Sequence, residues 1–185
     1  FATMPAGDRK LTMDELGRIP AGEYATSVAG GLCLVLDNVR SRMNVGSIFR
    51  TADAFGVERL VLAGFTPRPP HREIEKTALG ATVSVPWTGS EDTLSAVQAL
   101  QRDGWTVYAV EQTRQALPFT ELDPAPADRI ALVFGNELQG VADSVVQASD
   151  GCLVVPQQGS KHSLNIAVCA GILAWWCAPA RRQPH

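Results

Sequence analysis

The chain is poor in positive charge and has no long apolar run. Its formal net charge is −3 at pH 7 and its pI is near 5.6, so it lacks the globally basic surface of proteins that hold nucleic acid by charge alone. No apolar stretch approaches the ~20 residues of a membrane-spanning helix, and Phe1–Pro5 lacks the regions of a signal peptide. These absences predict a soluble, cytoplasmic protein with no membrane partner, in which any RNA contact comes from a local patch.

Several metal-binding and catalytic patterns are also missing. The four cysteines form no Cys-x-x-Cys pair, and the three histidines show no ligand spacing with them. We therefore expect free thiols and no metal. The sequence has no Gly-x-Gly-x-x-Gly, no Walker phosphate loop, no Gly-x-Ser-x-Gly elbow and no His-Glu-x-x-His. Dehydrogenase, NTPase, esterase and zinc protease functions all lose support.

The length and the apolar content predict a single domain. A chain of 185 residues with 45% hydrophobic residues can bury one substantial core. We expect residues 1–31 to be an N-terminal extension with a short helix around Leu11–Ile19, residues 32–178 to be the domain, and residues 179–185 to be a tail.

Apolar runs alternate with helical patterns along the domain. Leu32–Leu36 is continuously apolar, as in a strand covered on both faces. Further strands are predicted at Arg59–Ala63, Val83–Val85, Thr106–Val110, Ile130–Phe134 and Cys152–Val155, and helices at Ser47–Phe55, Glu91–Arg102 and Leu164–Cys177. This alternation predicts an α/β fold with a buried parallel sheet.

The last predicted helix is apolar nearly all round. Such a helix must be covered on more than one face. A second subunit could supply the cover, because obligate interfaces are hydrophobic and aromatic. A central core helix of a monomer would show the same pattern.

Three segments carry polar residues where apolar runs end. In the first, Gly46 is expected to permit close backbone approach, with Asn44 just before a helix and Arg50 as a fixed cation for an anion or ribose phosphate. A helix cap plus a surface arginine explains this segment equally well. The second, Gly135–Gly140, suits a loop that wraps a flat ligand and uses Glu137 to hold a hydroxyl or a loop in place. The third, Ser163–Asn165, is a natural helix cap, but the polar residues around it exceed what a cap needs.

Other candidates are less specific. Glu111 ends a predicted strand, where an acidic side chain can pair with ribose hydroxyls, although a solvated loop glutamate is commoner. Arg68, His71, Arg72 and Lys76 form either a phosphate-facing patch or an ordinary solvated surface. His162 is a secondary candidate for a general base.

Taken together, the three segments resemble the SpoU/TrmH branch of the SPOUT RNA methyltransferases over roughly Leu32–Trp176. Asn44 and Arg50 match its first motif, Gly135–Gly140 its second, and Ser163–Asn165 its third. The resemblance implies a parallel-sheet SPOUT fold with a C-terminal trefoil knot that binds S-adenosylmethionine, and a homodimer formed through the C-terminal helix. It implies methyl transfer to a ribose 2'-hydroxyl of tRNA or rRNA. Many relatives carry an N-terminal RNA-binding domain, whereas about thirty residues precede the first strand here.

The resemblance also implies site residues. Those expected in catalysis are Arg50, Asn44, Glu137, Ser163 and Asn165. Arg50 is either the general base or, because a guanidinium normally stays protonated, a group that holds the phosphate and stabilises charge. Those expected to bind the cofactor are Val110, Glu111, Gly135, Asn136, Gly140, Val155, Gln157, Ser163 and Leu164. Those expected to contact RNA are Arg42, Arg50, Arg68, Arg72 and Lys161. A base methyltransferase of the same superfamily and a non-catalytic RNA-binding module are the alternatives.

Overall fold

The computed structural model describes residues 9–12, 14–24, 31–160 and 163–178. Seven strands form one sheet in the order β3-β2-β1-β6-β4-β7-β5, and every pair is parallel. The strands are β1 (Leu32–Asp37), β2 (Arg59–Ala63), β3 (Trp87–Ser90), β4 (Thr106–Val110), β5 (Leu117–Pro118), β6 (Ile130–Phe134) and β7 (Gly151–Val154). The predicted α/β fold with a parallel sheet is confirmed.

Helices connect the strands. They are α1 (Arg42–Phe55), α2 (Arg72–Ala78), α3 (Ala81–Ser84), α4 (Thr93–Arg102), α5 (Asp143–Ala148) and α6 (Ile166–Trp176), with 3-10 turns at Ala21–Glu23 and Phe119–Glu121.

Both faces of the sheet are buried, which explains the continuous apolar runs. Successive residues of β1 alternate between two cores. Leu34 and Leu36 belong to the core that contains α1 and α6, whereas Cys33 and Val35 belong to the core that contains α4 and α5. The central strands β1 and β6 are therefore apolar at every position except the terminal Asp37.

The predicted strand at Val83–Val85 is wrong. Residues 81–84 form the short helix α3, and the next strand begins at Trp87. Val83 is 82% exposed, so its β-branched side chain does not pack on a sheet. A run of three residues is too short for its hydrophobic periodicity to distinguish a strand from a helix.

Helix α1 begins five residues before its predicted start. Ser41 is its N-cap and accepts a hydrogen bond from the Asn44 amide at 3.2 Å. Asn44 thus lies in the first turn, not before the helix. Gly46 does not face a ligand either, because a Cβ there would lie 2.3 Å from the Ile74 carbonyl oxygen of α2. The glycine allows α1 and α2 to pack closely.

The helix expected at Leu11–Ile19 is also absent from the described residues, where Asp14–Gly17 forms a turn. Helix α4 begins at Thr93, two residues later than predicted, because Asp92 caps it through the Ser95 amide at 2.8 Å. Helix α6 begins at Ile166, with Asn165 as its N-cap.

All four cysteines are free thiols, as expected. Within the described residues, no helix is both long and apolar enough to cross a membrane. The same part of the chain contains no cluster of three His, Cys, Asp or Glu side chains suited to a metal ion.

Candidate active site

A cavity of about 740 Å³ lies at the carboxyl ends of the neighbouring strands β4, β6 and β7. Its walls come from the loops after these strands and from the first turns of α6. Nine residues expected at a cofactor site all line it, namely Val110, Glu111, Gly135, Asn136, Gly140, Val155, Gln157, Ser163 and Leu164. Residues far apart in sequence thus meet because parallel strands end at one edge of the sheet.

The loop after β6 is built on two glycines. Asn136 and Gly140 exchange two backbone hydrogen bonds, of 2.9 and 2.8 Å, which closes a tight turn. A Cβ on Gly135 would lie 2.1 Å from the backbone nitrogen of Val141, and Gly140 has a φ of 71°. Neither position admits a side chain without moving the loop.

Two side chains fix this loop to its surroundings. Asn136 is 8% exposed and donates to the Asn38 carbonyl oxygen at 2.7 Å, while its Oδ1 accepts from the amides of Leu138 and Gln139. Glu111 Oε2 accepts from the Val141 amide at 3.0 Å. Both residues line the cavity, but the side chain of Asn136 is committed to holding the loop.

One hydrogen-bonded chain joins the three sequence motifs. Asn44 Nδ2 donates to Glu137 Oε1 at 3.1 Å, and Asn165 Nδ2 donates to Asn44 Oδ1 at 3.2 Å. Asn165 Oδ1 in turn accepts from the amides of Ala167 and Val168 at the start of α6. Because an ionised carboxylate only accepts, each amide group has a determined orientation.

The carboxylate of Glu137 is held ionised. Burial alone would raise its pKa, but the amides of Arg40 and Ser41, at 2.9 and 3.0 Å, and the side chain of Asn44 outweigh burial and lower the pKa. Its oxygens are therefore occupied by donors, and Glu137 serves to position the start of α1 against the loop after β6.

Cys169 also lines the cavity, on the wall formed by α6. Burial, with a smaller contribution from the negative charge of Glu111, raises the pKa of its thiol to about 11. The thiol is therefore neutral near pH 7 and acts as a small apolar surface.

The expected catalytic residues are only partly brought together. Glu137, Ser163 and Asn165 line the cavity, and Asn44 contacts two of them. Arg50 is exposed on α1 and, within the described residues, is not part of the cavity wall.

The expected RNA-contacting arginines lie on the surface near α1 and α2. Arg42 pairs with Glu73 at 3.7 Å, Arg68 donates to the Ser90 carbonyl oxygen at 3.0 Å, and Arg72 begins α2. Lys161 and His162 lie outside the described residues. His71 caps α2 by accepting from the Glu73 amide at 3.2 Å, so it has a local structural role.

Sequence reasoning missed Asp37 and Thr93. Asp37 is 2% exposed at the end of β1, and its Oδ2 accepts from the Ala142 amide at 3.0 Å. Thr93 donates to Asp37 Oδ1 at 2.5 Å. The available signal was an aspartate directly after a fully apolar run, a position at which the side chain is buried at the end of a strand. A buried carboxylate requires hydrogen-bond donors, so this aspartate was a candidate for a structural role.

Comparison with known proteins identifies relatives. The model of the SpoU rRNA Methylase family matches residues 31–175. The chain is 32% identical over 158 residues to the tRNA (guanosine(18)-2'-O)-methyltransferase of Aquifex aeolicus, covering 82% of this chain and 69% of that protein. It is 32% identical over 142 residues to the 23S rRNA (guanosine(2553)-2'-O)-methyltransferase RlmP of Bacillus subtilis, covering 77% and 56%.

A solved structure shares the fold. The AdoMet-bound rRNA methyltransferase of Sinorhizobium meliloti superposes with a TM-score of 0.73 at 28% identity, over 83% of this chain and 56% of that one. The chain spans a little more than half the length of several curated relatives that it matches.

Proposed function

Because the chain belongs to the SpoU rRNA Methylase family, we propose that it transfers a methyl group from S-adenosylmethionine to a ribose 2'-hydroxyl of tRNA or rRNA. The observation that carries the proposal is the chain of hydrogen bonds from Glu137 through Asn44 to Asn165. This chain joins one matched residue from each of the three motifs, and two of these residues, Glu137 and Asn165, line one cavity.

The cavity suits S-adenosylmethionine in size and chemistry. Pockets for ligands of this size are typically 300–1,000 Å³ with a few placed polar groups, and this one is about 740 Å³. Gly135 and Gly140 bring backbone close to the cavity, Glu111 offers carboxylate oxygens to ribose hydroxyls, and Leu153 and Val155 give apolar surface for a purine ring. Backbone groups at Gly135, Val155 and Leu164 would hold the cofactor.

Several residues of the chain have roles in the methyl transfer itself. The bound cofactor supplies an already activated methyl group, so the protein must align the hydroxyl and stabilise charge. Arg50 offers a planar guanidinium that holds the substrate phosphate or the developing alkoxide. Asn44 and Asn165 each keep one amide N–H that the chain of hydrogen bonds does not use, and these N–H groups orient the ribose. Ser163 lies on the cavity wall beside them.

The RNA lies across the surface that carries the arginines. Arg42, Arg50 and Arg72 are exposed on α1 and α2, so phosphates can reach them. A local patch of this kind provides the electrostatic contact that the overall acidic charge does not.

A homodimer formed through α6 completes the proposal. Val168 and Trp175 are seven residues apart on one face of α6 and are 53% and 51% exposed. Apolar surface of this kind on a rigid helix is typical of an obligate interface.

Transfer of labelled methyl groups from S-adenosylmethionine to total tRNA and, separately, to rRNA tests the function. We expect label at nucleotides that resist alkaline cleavage, lost at least a hundredfold in Arg50→Ala and in Arg50→Lys, since a point charge cannot replace the planar guanidinium. Arg102→Ala, an exposed arginine on α4, is the matched control. Label at nucleotides that remain cleavable would indicate base methylation, and cofactor binding without any label would favour a binding module.

A further inference from the structure

The carboxylate of Asp37 connects three parts of the fold, one of which is the loop after β6 that lines the cavity. It lies at the end of β1 and is 2% exposed. Its Oδ2 accepts from the Ala142 amide at 3.0 Å, at the far end of the loop after β6. Its Oδ1 accepts from Thr93 Oγ1 at the start of α4 and from Asn38 Nδ2 at 2.9 Å. Each oxygen is therefore satisfied by a donor from a different segment.

The next residue secures the near end of the same loop. Asn38 has a φ of 54°, the left-handed conformation that asparagine tolerates better than most residues. Its carbonyl oxygen accepts from the buried side chain of Asn136 at 2.7 Å. The end of β1 thus holds the loop at Asn136 and at Ala142, on either side of Glu137 and Gly140.

We propose that Asp37 is a positioning residue, which sets the conformation of the loop 135–142 and thereby the shape of the cofactor cavity. Among the described residues, Asp37 is not one of those that line the cavity. Its side chain therefore acts on the cavity through the hydrogen bond from the Ala142 amide. Hydrogen bonds to a charged group are stronger than neutral ones, and removing one partner leaves a buried donor unpaired. The inference about the cofactor rests on the proposed function, whereas the inference about the loop does not.

Hydrogen exchange of the unliganded protein tests the loop. In Asp37→Ala we expect the amides of residues 136–142 to exchange about tenfold faster than in the wild type. The matched control is Asp150→Ala, because Asp150 accepts from the Val107 amide at 2.7 Å at the opposite end of β4. In that variant the faster exchange should be confined to the region of residue 107. Equal exchange of residues 136–142 in the wild type and Asp37→Ala would overturn the proposal.

Thr93 provides a second pair of variants with a smaller perturbation. Thr93→Val removes the hydroxyl with little change of shape, whereas Thr93→Ser retains it. We expect Thr93→Val to increase loop exchange several-fold and Thr93→Ser to behave as the wild type. Equal acceleration in both would show that packing of the threonine, not its bond to Asp37, matters.

Calorimetric titration with S-adenosylmethionine tests the effect on the cavity. We expect Kd to rise about tenfold in Asp37→Ala and to stay unchanged in Asp150→Ala. An unchanged Kd in a variant whose loop exchanges faster would overturn the link to the cavity. A wild-type protein that does not bind S-adenosylmethionine would contradict the proposed function, and the exchange comparison would still decide the role of Asp37 in the loop.

Discussion

The side-chain amide of asparagine both donates and accepts hydrogen bonds, and Asn44 and Asn165 each do both in this site. Glu137 accepts from Asn44, which obliges Asn44 Oδ1 to face Asn165. Asn165 Oδ1 is left to cap α6. The sequence indicated that these three residues belong to one site, but it could not give the direction of the bonds, because the direction depends on which groups face one another in the fold.

Substitution of Asn165 separates its cap from its role in the chain of hydrogen bonds. Asn165→Asp keeps an oxygen for the amides of α6, so we expect a thermal midpoint near that of the wild type. Its second oxygen would oppose Asn44 Oδ1, and methyl transfer should fall at least tenfold. Asn165→Ala should lose the same activity and about 1 kcal/mol of stability.

The control for this pair is Asp92→Ala, which removes the N-cap of α4 away from the cavity. It should cost a similar free energy of unfolding without loss of methyl transfer. Equal activity of Asn165→Asp and the wild type would contradict a role for the bond to Asn44.

Glu137 gives the stability of the protein a pH dependence of known sign. Its pKa is lowered in the folded state, so its stabilising contribution is complete above the unfolded value of about 4.3. The contribution is lost as the pH falls through the lowered folded pKa. We expect the stability difference between wild type and Glu137→Gln, measured by urea unfolding at a series of pH values, to shrink on acidification.

Glu91→Gln, at an exposed glutamate outside the network, serves as the comparison and should show a smaller pH-dependent difference. A difference for Glu137→Gln that stayed constant from pH 7 to the acid transition would contradict the assigned hydrogen bonds.

At the scale of elements, the sequence predicted buried strands well and loop-to-helix boundaries less well. The runs Leu32–Leu36 and Ile130–Phe134 are covered on both faces, and few other structures hide five consecutive apolar residues. A glycine at position 46 predicts a close approach to the backbone, but the pattern does not identify the approaching group. Only the fold shows that the approaching group is the backbone of α2.

The loop after β6 has no room for a single added methyl group at Gly135. In Gly135→Ala, the Cβ would lie 2.1 Å from backbone atoms of Gly140 and Val141, so the loop must move. We expect a loss of about 1–3 kcal/mol in the free energy of unfolding and at least tenfold weaker binding of S-adenosylmethionine. Chemical unfolding and calorimetry measure the two effects.

Gly159→Ala is the matched substitution, because a Cβ there meets nothing within 4 Å. It should leave both quantities within error of the wild type. If Gly135→Ala bound the cofactor normally, the tight turn would not be part of the binding site.

At the scale of the whole molecule, the order of the strands explains why three distant motifs meet. β6 lies between β1 and β4, and β7 follows β4, so the residues that follow β1, β4, β6 and β7 share one edge. Alternation of strands and helices predicted the parallel sheet but not this order, because periodicity carries no information on which strands pair. The trefoil knot was implied by the family resemblance alone and stays a prediction.

The proposed dimer can be tested with a residue that the single chain tolerates. Gly171 lies on α6 between Val168 and Trp175, three and four residues from them, and a Cβ there meets nothing within 4 Å. A leucine therefore fits the isolated fold but occupies space that a partner helix needs. We expect Gly171→Leu to raise the protein concentration at which the dimer half-dissociates by at least tenfold, measured by sedimentation velocity.

Val83→Arg is the control, since Val83 is an exposed apolar residue outside α6, and it should dissociate as the wild type does. The thermal midpoint of the wild type should also rise with protein concentration, because association stabilises the folded state by mass action. A wild-type protein that sediments as a well-folded monomer at nanomolar concentration, with a midpoint independent of concentration, would refute the dimer. The exposed face of α6 would then have to be stable in water without a partner.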